Sequence, residues 1–314
     1  MDGLMRHVIL GHRGMVGSAL HRLMPDAHTT DEVYDKPPDL RFTGDTGIVL
    51  HKLKPDVLYL CAARAGGIGR NMAEPGRMLY DNLMIQTNVI EAARTSGVKL
   101  VVFLGSSCIY PSRPAPWWSK GGISELIPSD LMTGPLEPTN EPYAIAKIAG
   151  IRMLEAYHAQ YGLEYLAVMP CNLYGPNDNF RPGESHLMAS LIRRFHEARE
   201  QRLESVMLWG TGTPRREFLH VDDLALAIRA LVAQGARGIV NVGSGYDNTV
   251  RDWADLVAMH NYWSGDIEFV GDSTRDGAQS KLMKTEPIPG WTPRTDGVGQ
   301  AVEWYARNIE TARR

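Results

Sequence analysis

The residues best suited to chemistry fall in three short stretches. "LGSSCIYP", residues 104–111, puts two hydroxyls and a thiol directly after an apolar run. A buried strand that ends in such groups either satisfies its own turn or opens into a reaction site. Tyr143 and Lys147, in "YAIAK", stand four residues apart and share a face if the segment is helical. An ammonium held beside a phenol favours phenolate and lowers its pKa from about 10. A phenol so tuned can trade a proton with a carbonyl or alcohol oxygen. Surface Tyr/Lys pairs are common, so this spacing alone is a weak signal. The third stretch is Gly11, His12, Arg13, Gly14, Met15, Val16, Gly17, a G-x-x-G-x-x-G run. Between a strand and a helix, such a run lets backbone approach a pyrophosphate that the helix N-terminus then faces. Elsewhere it is an ordinary glycine turn.

Positioning these groups requires a sheet, and the pattern supplies one. Residues 7–10 read as a strand, and a helix follows the glycine run at 18–23. A polar, proline-containing stretch covers 25–45, and a helix-like piece leads to Pro55. Strands are expected at 57–61, 100–104 and 165–169, and helices at 75–96 and 142–161, the latter with Pro142 at its first position. Apolar strands alternating with helices imply a doubly wound parallel α/β sheet covered on both faces. The strand at 165–169 closes the series, and the chain then turns to shorter elements. Thr249 with Asp252 marks a helix start before 253–259, and Asp222 is expected to cap a helix over 223–232. The division is a dinucleotide-binding domain of 1–171 plus about 210–248, and a smaller substrate domain of about 172–209 and 249–314.

The bulk numbers exclude several classes. A net charge of −3 in 314 residues gives no electrostatic case for nucleic acid. No apolar run approaches the ~20 residues that span a membrane, and no signal-peptide order is present. Cys61, Cys108 and Cys171 are odd in number and too widely spaced for metal ligation. They suggest a reducing, cytoplasmic compartment.

Glycine run, Ser106, Tyr143 and Lys147, in that order, resemble the extended short-chain dehydrogenase/reductase family. "GHRGMVGSAL", "LGSSCIYP", "LEPTNEPYAIAKIAGI", "MPCNLYGPNDNF", "SLIRRFHEA" and "GTGTPRREFLHVDD" narrow the likeness to its GDP-L-fucose synthases, from residue 7 to about 305. The resemblance implies NADPH-dependent 3,5-epimerisation and 4-reduction of GDP-4-keto-6-deoxy-D-mannose to GDP-L-fucose. It implies Ser106, Tyr143 and Lys147 as the catalytic triad, Cys108 and His186 as the acid/base pair of epimerisation, and Asn82 as the helix asparagine of the polar network. The chemistry is consistent. Protons at C3 and C5, beside the C4 ketone, are acidic, and exchanging them on opposite faces needs two groups of near-neutral pKa. Read from the residues alone, the commoner fate of Cys108 is a small buried hydrophobe, and that of His186 a helix-start histidine on a polar loop.

For NADP(H), the resemblance points to residues 11–17, Asp39 at the adenine, Leu104, Gly105, Ser106, Ser107, Tyr143, Lys147, Pro170, Cys171, Asn172, Leu173 and His186. For the GDP-sugar it points to Asn172, Arg194, Trp209, Arg216 and Asp276. Guanidinium forks suit a pyrophosphate, and an indole offers a flat apolar surface. Gly66 and Gly67 either bring a loop to the ligands or serve a tight turn. A homodimer through helices 75–96 and 142–161 is implied, and apolar positions such as Ile148, Ile151 and Leu154 exceed what one buried face needs.

Three departures stand out. The second strand is eroded to "PDAHTTDEVYDKPPDLRF", so a 2′-phosphate-gripping arginine is missing on that side and Arg13 remains. Trp117 and Trp118 adjoin in a loop beside the site. The segment "DSTRDGAQSKLMK" has diverged. Another nucleotide-linked 4-keto sugar is therefore the runner-up substrate. A non-catalytic dinucleotide sensor is the rival of another class, and it has no need for a tuned phenol.

Overall fold

The computed structural model describes residues 5–112, 125–272 and 279–312. Trp117, Trp118 and Asp276 lie outside them.

Six strands form one parallel sheet in the order β2-β1-β3-β4-β5-β9. They are β1 (His7–Leu10), β2 (His28–Thr29), β3 (Val57–Leu60), β4 (Leu100–Leu104), β5 (Glu164–Pro170) and β9 (Gly238–Val242). Every residue of β3 and β4 is buried, as a sheet covered on both faces requires. The covering helices are α1 (Met15–Leu23), α2 (Thr43–Leu53), α4 (Pro75–Thr95), α5 (Glu141–Tyr161) and α7 (Val221–Ala233). The chain leaves β1 for β2 on one side, then returns to β3 on the other. That reversal makes the ends of β1 and β3 a switch point, where ligands bind in open α/β sheets.

The strands predicted at 57–61, 100–104 and 165–169 are present to within a residue. The eroded second strand survives as two residues paired to Val8 and Ile9. The strand at 165–169 does not close the sheet. The chain crosses back, and β9 pairs with β5 along its outer side.

A second apolar cluster lies outside this sheet. It joins α6 (Leu187–Glu200), α8 (Val250–His260) and α9 (Gly297–Arg307) around Phe195, Trp253 and Tyr305. Short sheets flank it: β6 (Asn172–Tyr174) with β8 (Arg215–His220) and β10 (Asp247–Thr249), and β7 (Ser205–Trp209) with β11 (Asp266–Val270). A short helix, α3 (Ile68–Ala73), precedes α4.

The Thr249/Asp252 capping box forms as expected, with both reciprocal hydrogen bonds at 3.0 Å. The other predicted cap does not. His220 caps α7, its Nδ1 accepting the Asp222 amide at 3.2 Å. Asp222 sits two residues beyond the cap position, already inside the helix, and its carboxylate binds Arg22 of α1 at 2.5 Å.

Candidate active site

The glycine run packs as its spacing demands. Gly11 has φ of +86°, and a Cβ there would lie 2.6 Å from the Ala62 amide nitrogen, at the end of β3. A Cβ on Gly17 would lie 2.2 Å from the Gly11 oxygen. Both glycines are thus required by close backbone approach. Gly14 stands at the N-cap of α1, whose first turn holds no acid and no side-chain cap. That end of the helix is open to an anion. The His12 Nδ1 is buried and finds no partner among the described residues. The cradle, the uncapped helix end and this orphaned nitrogen fit a bound dinucleotide. Met15 and Val16 turn their side chains onto the sheet core.

Ser106 and Ser107 follow β4, and Gly105 is pressed against Met169 of β5, where a Cβ would sit 2.2 Å from its sulfur. The Ser106 hydroxyl accepts the Cys108 amide at 3.2 Å, capping the tight turn Ser107–Ile109. Ser107 is buried and Cys108 half-buried. The opening "SSC" therefore does satisfy its own turn, and the same turn fixes the thiol at the end of β4.

Tyr143 and Lys147 lie on α5, as the spacing predicts. Lys147 is buried, and its Nζ donates to the Leu104 oxygen at 2.7 Å, pinning α5 to the end of β4. It lies 4.8 Å from the Phe103 ring centre and 5.8 Å from that of Tyr143. Burial pulls the ammonium down to about 8, a shift the nearby Cys61 thiol opposes. Burial raises the Cys61 thiol in turn to about 12. The Tyr143 hydroxyl departs from expectation. Burial, reinforced by the neighbouring Cys108, raises it above the usual phenol value rather than lowering it. Desolvation of the phenolate outweighs the ammonium, which donates to a carbonyl instead of the phenol. The turn that carries Cys108 packs against α5, which brings the thiol to the phenol's end of that helix.

His186 is the N-cap residue of α6 and is exposed. Its segment is held by the glycine loop after β3. The Gly67 amide donates to Glu184 at 2.9 Å, and a Cβ on Gly67 would lie 2.4 Å from the Ser185 oxygen. Gly67 thus serves close approach to the segment that carries His186. The Asn71 amide donates to the Gly66 and Gly67 oxygens at 2.8 and 3.1 Å. Asn82 clamps the same loop from α4, accepting from the Arg64 amide and donating to its oxygen, both at 2.9 Å.

Charged groups missed by sequence reasoning link these parts. Arg41 grips Asp39 through two nitrogens, at 2.9 and 2.6 Å, and reaches Asp81 at 3.0 Å. Asp81 also meets Arg64 at 3.3 Å, Arg64 meets Glu74 at 2.5 Å, and Arg70 joins Glu74 to Glu184 at 3.5 and 3.4 Å. A chain of ion pairs thus runs from the expected adenine aspartate to within two residues of His186. Arg41, Arg64, Arg70 and Arg77 line a cleft of about 420 Å³. A larger concavity of about 500 Å³ lies on α2 between Thr43 and Lys52 and gathers none of the candidate residues.

Asp31, also unforeseen, binds Arg13 at 2.8 Å and His12 Nε2 at 3.0 Å. Its position 20 residues after Gly11, the first glycine of the run, was the available signal.

Pro170 ends β5, and Cys171 is buried, with a thiol that burial and the nearby Glu217 raise well above its ordinary value. Leu173 packs on the sheet core. The Asn172 side chain donates to the Glu217 oxygen at 2.9 Å, tying β6 to β8. Glu217 is fully buried and accepts the Gly245 and Met283 amides at 2.9 and 3.1 Å. Burial pushes its carboxyl up to about 7 against these bonds. Arg216, next to it, donates to the Arg215 oxygen at 2.8 Å. Arg194 of α6 donates to the Met207 oxygen, and Trp209, at the end of β7, is 77% exposed. Arg194 and Trp209 therefore belong to the second cluster's side of the molecule, whereas Ser106, Cys108, Tyr143 and Lys147 meet at the end of β4.

Comparison with known proteins agrees with this geometry. Residues 7–243 match the NAD dependent epimerase/dehydratase family. GDP-L-fucose synthase 1 of Arabidopsis thaliana is 45% identical over 312 residues, covering 96% of this chain and 93% of that protein. GDP-L-fucose synthase of Escherichia coli (strain K12) is 40% identical, with 98% of each covered. A GDP-mannoheptose C4 reductase from Campylobacter jejuni, solved with NADP bound, is 28% identical with a TM-score of 0.81, covering 98% of this chain and 99% of that one. With the glycine cradle, the β4 turn and the α5 pair all in place, the chain belongs to the NAD dependent epimerase/dehydratase family, alongside its GDP-L-fucose synthases.

Proposed function

We propose that this protein converts GDP-4-keto-6-deoxy-D-mannose to GDP-L-fucose with NADPH, epimerising C3 and C5 before reducing C4. The observation that carries the reading is the meeting of Ser106, Cys108, Tyr143 and Lys147 at the end of β4, fixed by the bond from Lys147 to the Leu104 oxygen. A site for reduction alone has no use for a thiol beside the phenol. The sheet core forms the cofactor domain and the second cluster the substrate domain in this reading.

The residues divide the work by their chemistry. Cys108 and His186 exchange the protons at C3 and C5, which the C4 ketone acidifies. When bound, NADPH supplies the hydride delivered to C4. Tyr143 gives the proton to the new hydroxyl. Its raised pKa keeps it protonated at neutral pH, the form an acid needs. Lys147 holds α5 to β4 and orients the cofactor ribose, and Ser106 donates to the C4 oxygen. Arg13 and Asp39 face the adenosine end. Asn172, Arg194, Trp209, Arg216 and Asp276 hold the GDP-sugar. Two copies pair through α4 and α5 in the cytoplasm.

The direct test is cofactor oxidation with matched sugars. NADPH should be consumed with the GDP-linked 4-keto-6-deoxy sugar and far more slowly with its UDP- or dTDP-linked counterparts. Equal rates with all of them would favour the runner-up, a reductase or epimerase of another nucleotide-linked 4-keto sugar. That reading draws on the divergence of residues 272–284 and on the C4 reductase among the structural relatives.

A further inference from the structure

We propose that Asp31 governs cofactor choice in this chain, competing with the 2′-phosphate for Arg13, so that NADP and NAD are bound with similar strength. The proposal rests on the reading of the glycine run as a dinucleotide cradle. Sites of this kind read the ribose 2′ position with a residue near the end of the second strand. An acid there takes a 2′-hydroxyl, and an arginine takes a 2′-phosphate. This chain carries both, bonded to each other.

Asp31 follows β2 within the short turn Thr30–Glu32, and its two oxygens are divided between Arg13 and His12 at 2.8 and 3.0 Å. His12 is nearly buried, with its side chain 9% exposed, so it holds the carboxylate at the glycine run from the protein side. Some burial would raise the carboxyl, but the bonds from Arg13 and His12 outweigh it and hold Asp31 below the usual carboxylate range. It is therefore charged at neutral pH. Glu32, the next residue, is bound to His28 at 2.7 Å and adds a second carboxylate to the same turn. Arg13 thus has Asp31 as its bonded acid, while Glu32 is held by His28 in the same turn.

The Arg13–Asp31 pair is half exposed on both sides, at 54% and 44%. Such pairs are weak, so an incoming phosphate can displace the carboxylate. It must still bind beside the displaced negative charge, which costs most of the preference Arg13 would otherwise give. A 2′-hydroxyl pays no such penalty and can donate to Asp31.

Titration calorimetry of the whole chain with NADP⁺ and with NAD⁺ tests this without turnover. Wild type should bind the two within roughly tenfold of each other. Asp31→Asn should tighten NADP⁺ by roughly fivefold, the scale of one partly exposed charge, and leave NAD⁺ unchanged or weaker. Asp31→Ala should shift the ratio the same way, and the gain should shrink at high salt. Equal shifts for both nucleotides, or a loss of NADP⁺ affinity in both variants, would overturn the role of Asp31 alone. Binding of neither nucleotide by wild type would sink the dinucleotide reading, and this inference with it.

Discussion

Tyr143 and Lys147 lie close enough to act together, yet each is shifted by burial more than by the other. An ammonium whose pKa lies at about 8 loses its charge just above neutrality. Its ability to orient a ribose and support Tyr143 should go with it. The kcat/KM for NADPH-dependent reduction should fall as pH rises through about 8, and a profile that stays flat well beyond would contradict the role of Lys147. Tyr143→Phe removes the proton donor and leaves the glycine cradle intact. Turnover should drop by roughly 10²-fold or more, the scale of general acid catalysis, while cofactor affinity holds. Near wild-type turnover would take Tyr143 out of the mechanism. The residue types and their spacing were readable from sequence, because a helix fixes i and i+4 on one face. The sign of the phenol's shift was not, because it depends on how much protein closes over the ring.

The elements explain why residues far from the chemistry matter. Gly67→Ala would drive a methyl group into the Ser185 oxygen. The segment before His186 should shift, and proton exchange at the sugar should slow by roughly tenfold or more. Binding of the nucleotide at the glycine run should change little. A Gly67→Ala protein with normal exchange would show that the contact does not position His186. Glu217 makes a separate prediction. Its folded pKa of about 7 lies above the ordinary 4.5, so between those values the folded state holds the extra proton. Its stability contribution is full below about 4.5 and lost as pH rises to about 7. The melting temperature of wild type should therefore fall relative to Glu217→Gln across that window. A constant difference would mean that the carboxyl titrates normally. Strands and long helices were legible because apolar runs and a Pro at a helix start are local signals. The His220 cap was less so, because histidine is an unusual cap even though its partner amide lies two residues on. The crossing back of 210–248 was expected, but the pairing of β9 with β5 depends on a partner distant in sequence. The ion-pair chain from Asp39 to Glu184 was illegible for the same reason, as its members come from separate loops and helices.

A dimer through α4 and α5 would rest on residues other than Ile148, Ile151 and Leu154. Ile151 and Leu154 are fully buried in the chain's own core, and Ile148 packs against it. They are spent on packing α5 to the sheet and to α4, which the sequence could not separate from a second interface. Tyr80 on α4 and Ile145 and Tyr161 on α5 remain exposed, at 60%, 43% and 49%. Sedimentation at micromolar concentration should give about twice 34.8 kDa, and a clean monomer would remove the dimer. On the proposed function, one site both epimerises and reduces. It is tested most directly by NMR of the sugar formed from GDP-4-keto-6-deoxy-D-mannose and NADPH in deuterated water, with wild type and with Cys108→Ser. Wild type should give the L-configured product with deuterium at C3 and C5. The serine hydroxyl scarcely ionises at neutral pH, whereas a free thiol does so from about 8.5. The folded variant should therefore incorporate little deuterium and drift towards the D-configured product. Full deuterium incorporation and L-configuration in Cys108→Ser would remove Cys108 from epimerisation, and no deuterium in the wild-type product would leave the site a reductase alone.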